Sequence, residues 1–292
     1  MKTLVILPTY NEASNITSIL RQLHEQYPEI DILHIDDNSP DGTAEIALEF
    51  GLENYRRLAD DEMLIPSFIR TLKFLALGVL PTVFGGFLVA VLLNWKVKGI
   101  GVFRAMFFLP LTISSAVAGI AWSSIFNPEA GWINRILKIF GIAGPEWLAS
   151  FEWALPSVTI IVIWLSLPLV IILYLAGLQR ISPEILEAAA LDGANAWQRV
   201  WGIIFPCVST TTILVVAIEI LAFLSSPFEI SLLMVQGGPL DATTSLAYYA
   251  YKMAFEQFEV GYSAALVMVQ FFALLIVALP VIQFRRYRRN KG

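Results

Sequence analysis

The 292-residue chain has a single cysteine, Cys207, and only two histidines, His24 and His34. One thiol cannot close an intramolecular disulfide, and so few thiols and imidazoles make no Cys/His metal cluster, so disulfide scaffolds and zinc sites of that kind are excluded. Also missing is any Gly-x-x-x-x-Gly-Lys-Ser/Thr string, so this chain carries no phosphate-cradling loop of that class. Charge is scarce: Asp, Glu, Lys and Arg make up 15% of the residues against 57% hydrophobic, and the mean hydropathy is +0.69. Soluble domains carry about 25% charged residues, so these values place the chain among membrane proteins. The net charge of −5 hides a division. Residues 1–66 hold 4 basic and 13 acidic residues, a balance of −9, while 67–292 hold 15 and 11, a balance of +4. Two different kinds of sequence share one chain.

Long apolar runs are what the second kind has. A hydrocarbon core of roughly 30 Å needs about 20 apolar residues in helix, because no water there satisfies backbone groups. Five stretches qualify: 71–93, 103–125, 154–178, 207–226 and 262–284. Lys73 and Arg104 lie near span ends, where long side chains snorkel. Each span holds or borders a proline (Pro81, Pro110, Pro168, Pro206, Pro280), so kinked helices are expected. Basic residues beside a span resist translocation. The tail 285–292, with Arg285, Arg286, Arg288, Arg289 and Lys291, is therefore expected in the cytoplasm, together with the loops holding Lys96, Lys98 and Arg104 and holding Arg180 and Arg199. Alternation then puts loops 126–153 and 227–261 outside, and with them residues 1–70.

That placement conflicts with the first fifty residues. Short apolar runs at 4–7 and 31–35 flank an amphipathic stretch at 16–26, which predicts strand, helix, strand, the opening of an α/β domain. The second strand runs into Asp36-Asp37-Asn38-Ser39-Pro40-Asp41-Gly42-Thr43, and carboxylates at a strand's C-terminal end are well placed to meet a ligand. The strings Leu7-Pro-Thr-Tyr-Asn-Glu12 and Asp36–Thr43 resemble the start of family-2 glycosyltransferases, the polyprenol-phosphate sugar synthases in particular, over residues 1–48. The resemblance implies nucleotide-sugar contacts at Pro8, Tyr10, Glu12 and Asp37. Such enzymes also need several more strands and a later Asp-x-Asp metal site, and no Asp-x-Asp occurs after residue 50. A lone βαβ fragment buries too little apolar surface to offset its chain entropy, which weighs against catalysis. Asp60-Asp61-Glu62 reads as a solvated acidic run.

The loop 179–206 carries the most specific pattern. Ser182-Pro183-Glu184 is a helix start, with a hydroxyl at the N-cap, proline at the first position and a carboxylate at the positive end of the dipole. Asp192-Gly193 ends that helix, and a second stretch over 196–204 runs on to Pro206. Glu187-Ala188-Ala189, then Gly193, nine residues, and Ile203-x-x-Pro206 resemble the EAA loop of bacterial ABC importer permeases. The likeness continues in Gly51–Leu58, Phe103–Trp122, Phe126-Asn127-Pro128, Gly237-Gly238-Pro239, Ala242-Thr243-Thr244 and Gly261-Tyr262, so the chain from about Gly51 onward resembles the MalF/UgpA-like carbohydrate permeases.

The resemblance implies an all-α polytopic membrane fold, the transmembrane domain of a type I ABC importer, over 71–284, preceded by the βαβ fragment and a connecting, extracytoplasmic segment at 49–70. The family's first helix is missing, the glycosyltransferase-like piece stands in its place, and the usual six spans become five, which points to a chimera. The implied function is ATP-driven import of a carbohydrate or glycerol-phosphate-like solute in the bacterial cytoplasmic membrane; the alternative is a membrane-anchored polyprenol-phosphate glycosyltransferase. Implied partners are an ATP-binding subunit dimer, a second permease subunit, an extracellular solute-binding protein and the lipid bilayer, with no nucleic acid. No cofactor is expected in this chain, ATP and Mg belonging to the ATPase. Glu187, Ala188, Ala189, Asp192, Gly193, Ile203 and Pro206 are the implied coupling residues.

Glu219 stands apart. In mid-span a charged carboxyl costs roughly 2.5–3.5 kcal/mol, so it is read either as part of a translocation pathway or as a hydrogen-bonded packing residue. For Ser115, Gly119 and Ser123, on one helix face, and for Trp122, Trp164 and Tyr174, packing is the stronger reading. Gly237-Gly238-Pro239 reads as a turn.

Overall fold

In the computed structural model, residues 4–9, 11–27, 31–36, 39–43, 53–95 and 98–289 are described. In chain order the elements are β1 (Leu4–Thr9), α1 (Ile16–Gln26), β2 (Asp31–Asp36), α2 (Glu53–Ala59), α3 (Leu64–Leu93), α4 (Ile100–Phe108), α5 (Ser115–Ile125), α6 (Trp132–Ile139), α7 (Phe151–Leu178), α8 (Pro183–Leu191), α9 (Ala196–Arg199), α10 (Ser209–Met234), α11 (Leu246–Tyr251) and α12 (Val260–Arg289). They fall into two compact units, 1–67 with 246–273 and 68–245 with 274–292.

In the first unit, β1 and β2 pair in parallel, Leu4 opposite Asp31 through Thr9 opposite Asp36, with α1 as the connection between them. The strand runs one residue beyond Pro8, where the sequence places its end. Both strands of a two-stranded sheet are edges, so a proline without an N–H is tolerated there. Ile16 and Leu20, one helical turn apart, are the buried residues of α1. Farther along, Asp61, expected to be solvated, is instead tied down: its carboxylate accepts from the Met63 N–H at 2.7 Å, from the Tyr249 hydroxyl at 2.7 Å and from the Tyr262 hydroxyl. Arg57 contacts both oxygens of Glu259, at 2.6 and 3.1 Å, and lies 4.5 Å over the Tyr262 ring.

The second unit is built around long apolar helices. α3 has 30 residues, about 45 Å at 1.5 Å per residue; α7 has 28 and α10 has 26, each long and apolar enough to cross a bilayer. Phe74, Phe87, Val170, Tyr174, Val215 and Phe223 are among the buried side chains of their core. Glycine permits the closest approaches: a methyl on Gly78 would run into the Phe223 ring, and one on Gly86 into Val170. The span expected over 262–284 lies within α12, whose side chains are described as far as Leu275.

Two expected spans differ from the structure. The stretch 103–125 is not one helix: α4 passes into a 3-10 turn at Leu109–Thr112, Ile113 is extended, and α5 restarts with the two helices at 112°. Pro110 removes a helical donor, and the Ser114 hydroxyl accepts from the Val117 N–H, so the chain has its own start signal immediately after its own stop signal. The span expected to end at Ser226 continues through Pro227 to Met234, because an α-helix inside a bundle tolerates proline where neighbouring groups satisfy the freed carbonyl.

Candidate functional site

The loop between α7 and α10 is shaped by local bonds. The α8 helix starts at Pro183 behind Ser182, although the Ser182 hydroxyl donates to the Glu184 carboxylate at 2.6 Å instead of capping a backbone N–H. At its end, the Ala194 N–H reaches the Ala189 carbonyl at 3.0 Å and the Gly193 N–H the Ala190 carbonyl at 3.2 Å, with Gly193 at φ +83. This paired closure needs a left-handed residue, which glycine adopts without a Cβ penalty. Asn195 and Gln198 then cap α9 reciprocally, side chain to backbone, at 2.8 and 2.9 Å.

The helix expected over 196–204 is not uniform, since it widens to a π-helical turn at Val200–Ile204. Pro206 would collide with the carbonyl four residues back, at Gly202, and the wider turn relieves this. Of the expected coupling residues, Glu187, Ala188, Asp192, Gly193 and Pro206 are exposed, Ile203 is half-buried and Ala189 is buried. Two side chains missing from that set are the most prominent, Leu191 at 89% and Trp197 at 67% exposed. Behind this face an aromatic train, Trp197 to Trp201 to Phe205 to Phe87 to Tyr174, runs at centroid spacings of 5.1–5.5 Å from the loop into α3 and α7.

A second candidate lies at the break between α4 and α5. A cavity of about 300 Å³ is lined there by Pro110, Ile113 and Ser115 from the break, Ser166 and its neighbours from α7, and Glu219, Ala222 and Ser226 from α10. Glu219 is 1% exposed and shares the cavity lining with Ser166, and its Oε2 has no hydrogen-bond partner among the described residues. Ser115 faces this cavity instead of a packing seam, whereas Gly119 sits against Met234 and Ser123 donates back to the Gly119 carbonyl. Trp122 and Trp164 pack edge to face at 5.8 Å, and Tyr174 meets Phe87 edge to face at 5.4 Å, as packing residues do. The Gly237–Pro239 turn is closed by hydroxyls, Thr244 donating to the Gly237 carbonyl and Thr243 to that of Gly238.

The glycosyltransferase-like loops are bonded to one another. Asp41 accepts from the Ala13 N–H and from the Thr43 hydroxyl, and Thr43 in turn accepts from the Glu12 N–H. The donated bond from Thr43, followed by that from Ala13, holds the Asp41 carboxyl below its ordinary value. The Glu12 carboxylate accepts from the Asn15 side chain, Pro8 is exposed, and Tyr10 and Asp37 lie outside the described residues.

A family model described as the binding-protein-dependent transport system inner membrane component matches residues 82–290. The chain belongs to that family. Among curated relatives of this permease, the sn-glycerol-3-phosphate transport system permease protein UgpA of Agrobacterium fabrum is 32% identical, over 80% of this chain and 79% of its own. The probable ABC transporter permease protein YurN of Bacillus subtilis is 29% identical over 82% and 83%. Among solved structures, a bacterial ABC transporter involved in import of the acidic polysaccharide alginate aligns at a TM-score of 0.72 and 21% identity, covering 94% of each chain, a likeness of fold. A glycosyl transferase family 2 model matches residues 4–59, which fits the expected chimera. The permease is a multi-pass membrane transport subunit and not an enzyme, which sets aside the membrane-anchored glycosyltransferase. The sequence reading does not single out Leu191, Trp197 or Ser166 as site residues, and it takes Asp61 for a solvated carboxylate. Ser166 is one of several hydroxyls in its apolar run, with Ser157 and Thr159, so nothing local marks it, and nothing local marks the distant partners of Asp61.

Proposed function

We propose that this chain is a permease subunit of an ATP-driven importer in the bacterial cytoplasmic membrane, moving a carbohydrate or glycerol-phosphate-like solute by alternating access. The loop 179–206 docks on a separate ATPase dimer, and the Glu219 cavity lies on the solute path between this chain and a second permease subunit, with an extracellular binding protein delivering the solute. The observation that carries this is the form of the loop: a bonded corner at Gly193 holds Leu191 and Trp197 outward, and an aromatic train ties it to α3 and α7. Exposed apolar side chains on a fixed frame favour a protein partner. An aromatic chain packed into the helices converts movement of that partner into reorientation of the spans, around an irregular mid-helix break of the sort transporters use to line a cavity. The relatives' names support the solute class.

The test is capture of the ATPase subunit from solubilised membranes, with solute uptake measured in parallel. Glu187→Lys reverses an exposed charge on the docking face and lowers both; unchanged capture with unchanged uptake would sink the proposal. Trp197→Cys in a Cys207→Ser background should react with an impermeant maleimide from the cytoplasmic side, and reaction from the exterior alone is incompatible with docking.

A further inference from the structure

This inference rests on the cavity being part of the solute path. The polar side chains among its lining residues are Ser115, Ser166, Glu219 and Ser226, and the other lining residues are aliphatic or proline. Glu219 is almost wholly buried, Ser166 lines the same cavity, and Oε2 has no partner among the described residues. None of the described lining residues is Lys, Arg or His. Ser115 opens α5, and the partial positive charge of a helix start finds its counterpart in a carboxyl lining the same space. A phosphate or carboxylate entering would find no cation to pair with and would share the space with the Glu219 carboxyl, and an unpaired charge buried in this way is costly. A hydroxyl group meets the opposite situation: carboxyl oxygens accept its proton, serine hydroxyls donate and accept, and aliphatic walls cover the C–H faces of a ring. At about 300 Å³ the cavity lies at the small end of ligand sites, which run from about 300 to 1,000 Å³. We propose that Glu219 is a specificity-determining residue that makes this cavity a seat for an uncharged polyhydroxylated solute, or one uncharged sugar unit, and closes it to anions.

The test uses the assembled complex of both permease subunits and the ATPase in nanodiscs, without the binding protein, so that cavity preference alone is read. Ala222→Cys, in a Cys207→Ser background, reports cavity access through its rate of maleimide modification. The probes are glucose and maltose, glucuronate and glycerol 3-phosphate as anions, and glucosamine as a cation. A neutral sugar should slow modification about tenfold at ten times its dissociation constant, by one-site occupancy, and the anions should leave the rate unchanged. Glu219→Gln keeps the shape and a hydrogen-bonding amide, so it should retain sugar protection and admit glucuronate. Protection by the anions equal to that by glucose, protection by glucosamine alone, protection by none of the probes, or continued exclusion of glucuronate by the Gln variant would each overturn the inference while leaving the pathway reading standing. A cysteine at 222 that is unreactive in every nucleotide state, in a complex that still assembles, would instead remove the pathway reading and the inference with it.

Discussion

The connections before and after α10 treat their polar groups in opposite ways. Before it, the bonds of 182–198 are short-range, and charged and apolar side chains are left pointing outward. After it, polar groups turn inward: the Thr243 carbonyl accepts from Ser231 near the end of α10, Thr243 and Thr244 donate to the glycine turn, and Tyr249 donates to Asp61. A segment bonded within itself that still exposes Leu191 and Trp197 has a fixed shape and unsatisfied surface, as a docking element needs. One that spends its hydroxyls on its own turns and on distant residues is satisfied and adds to local stability. The contrast predicts that changes in the first connection damage partner capture without melting the protein, and that changes in the second do the reverse.

The largest effect is expected at Gly193. Gly193→Pro fixes φ near −65° where the corner has +83 and deletes the N–H that reaches the Ala190 carbonyl. Holding the corner against about 1–3 kcal/mol of backbone strain lowers ATPase capture by roughly 5- to 150-fold, measured by binding of the subunit to the purified complex. The unfolding midpoint should hardly move, because the residue is exposed and a Cβ there would touch nothing. A fall in the midpoint as large as the fall in capture would make the loop part of the core and erase the contrast.

Next is Asp61→Ala, in the second kind of region. Hydrogen bonds to a charged group contribute about 1.5–3 kcal/mol, and the partial exposure of Asp61 places this one near the lower end. Faster hydrogen exchange over α11 and the start of α12, with unchanged ATPase capture, is the expected outcome. Burial works against the ionised form, but the donors Tyr262, Tyr249 and the Met63 and Leu64 N–H groups outweigh it and hold Asp61 below its ordinary 3.8. Burial, with Asp61 as acceptor, pushes the Tyr249 phenol far above its ordinary value. A depressed carboxylate adds stability that is complete above its unfolded pKa and lost as pH falls through the folded one. Protection should therefore stay flat from neutral down to about pH 4, near the ordinary 3.8, and decline only below it; a loss between pH 7 and 5 would contradict this assignment.

How much the sequence disclosed follows the range over which each feature is encoded. Helix period and apolar length are local, so α3, α7 and α10 were legible, as were the corner at Gly193 and the strand–helix–strand start. The break at Leu109–Thr112 was legible only as a kink: Pro110 announces a disruption, but an angle of 112° depends on what packs on each side. The length of α10 was underestimated because Pro227 is a stop signal in water and not inside a bundle. Asp61 was read as solvated because its partners lie 188 and 201 residues away. The cavity is likewise assembled from three distant segments, of which only Glu219 advertised itself, through the cost of an acid in an apolar helix.

The smallest effect is expected at Arg57, and it tests whether the second region is held by hydrogen bonds or by charge. Arg57 and Glu259 are in contact at 2.6 Å, but their side chains are 54% and 34% exposed. Exposed pairs contribute about 0.2–1 kcal/mol, and a guanidinium over an exposed ring about 0.5–1 kcal/mol. Both draw on the same side chain, so they do not simply add, and Arg57→Gln should cost under about 1 kcal/mol on this basis. Exchange over α11 would then rise less than with Asp61→Ala. Raising salt from 0.1 to 1 M shortens the screening length from about 10 to 3 Å, so the gap between wild type and Arg57→Gln should narrow while the Asp61→Ala gap persists. A double-mutant cycle with Glu259→Gln isolates the pair. If Arg57→Gln proves costlier than Asp61→Ala, the ion pair is the anchor and the phenol–carboxylate cluster its accessory.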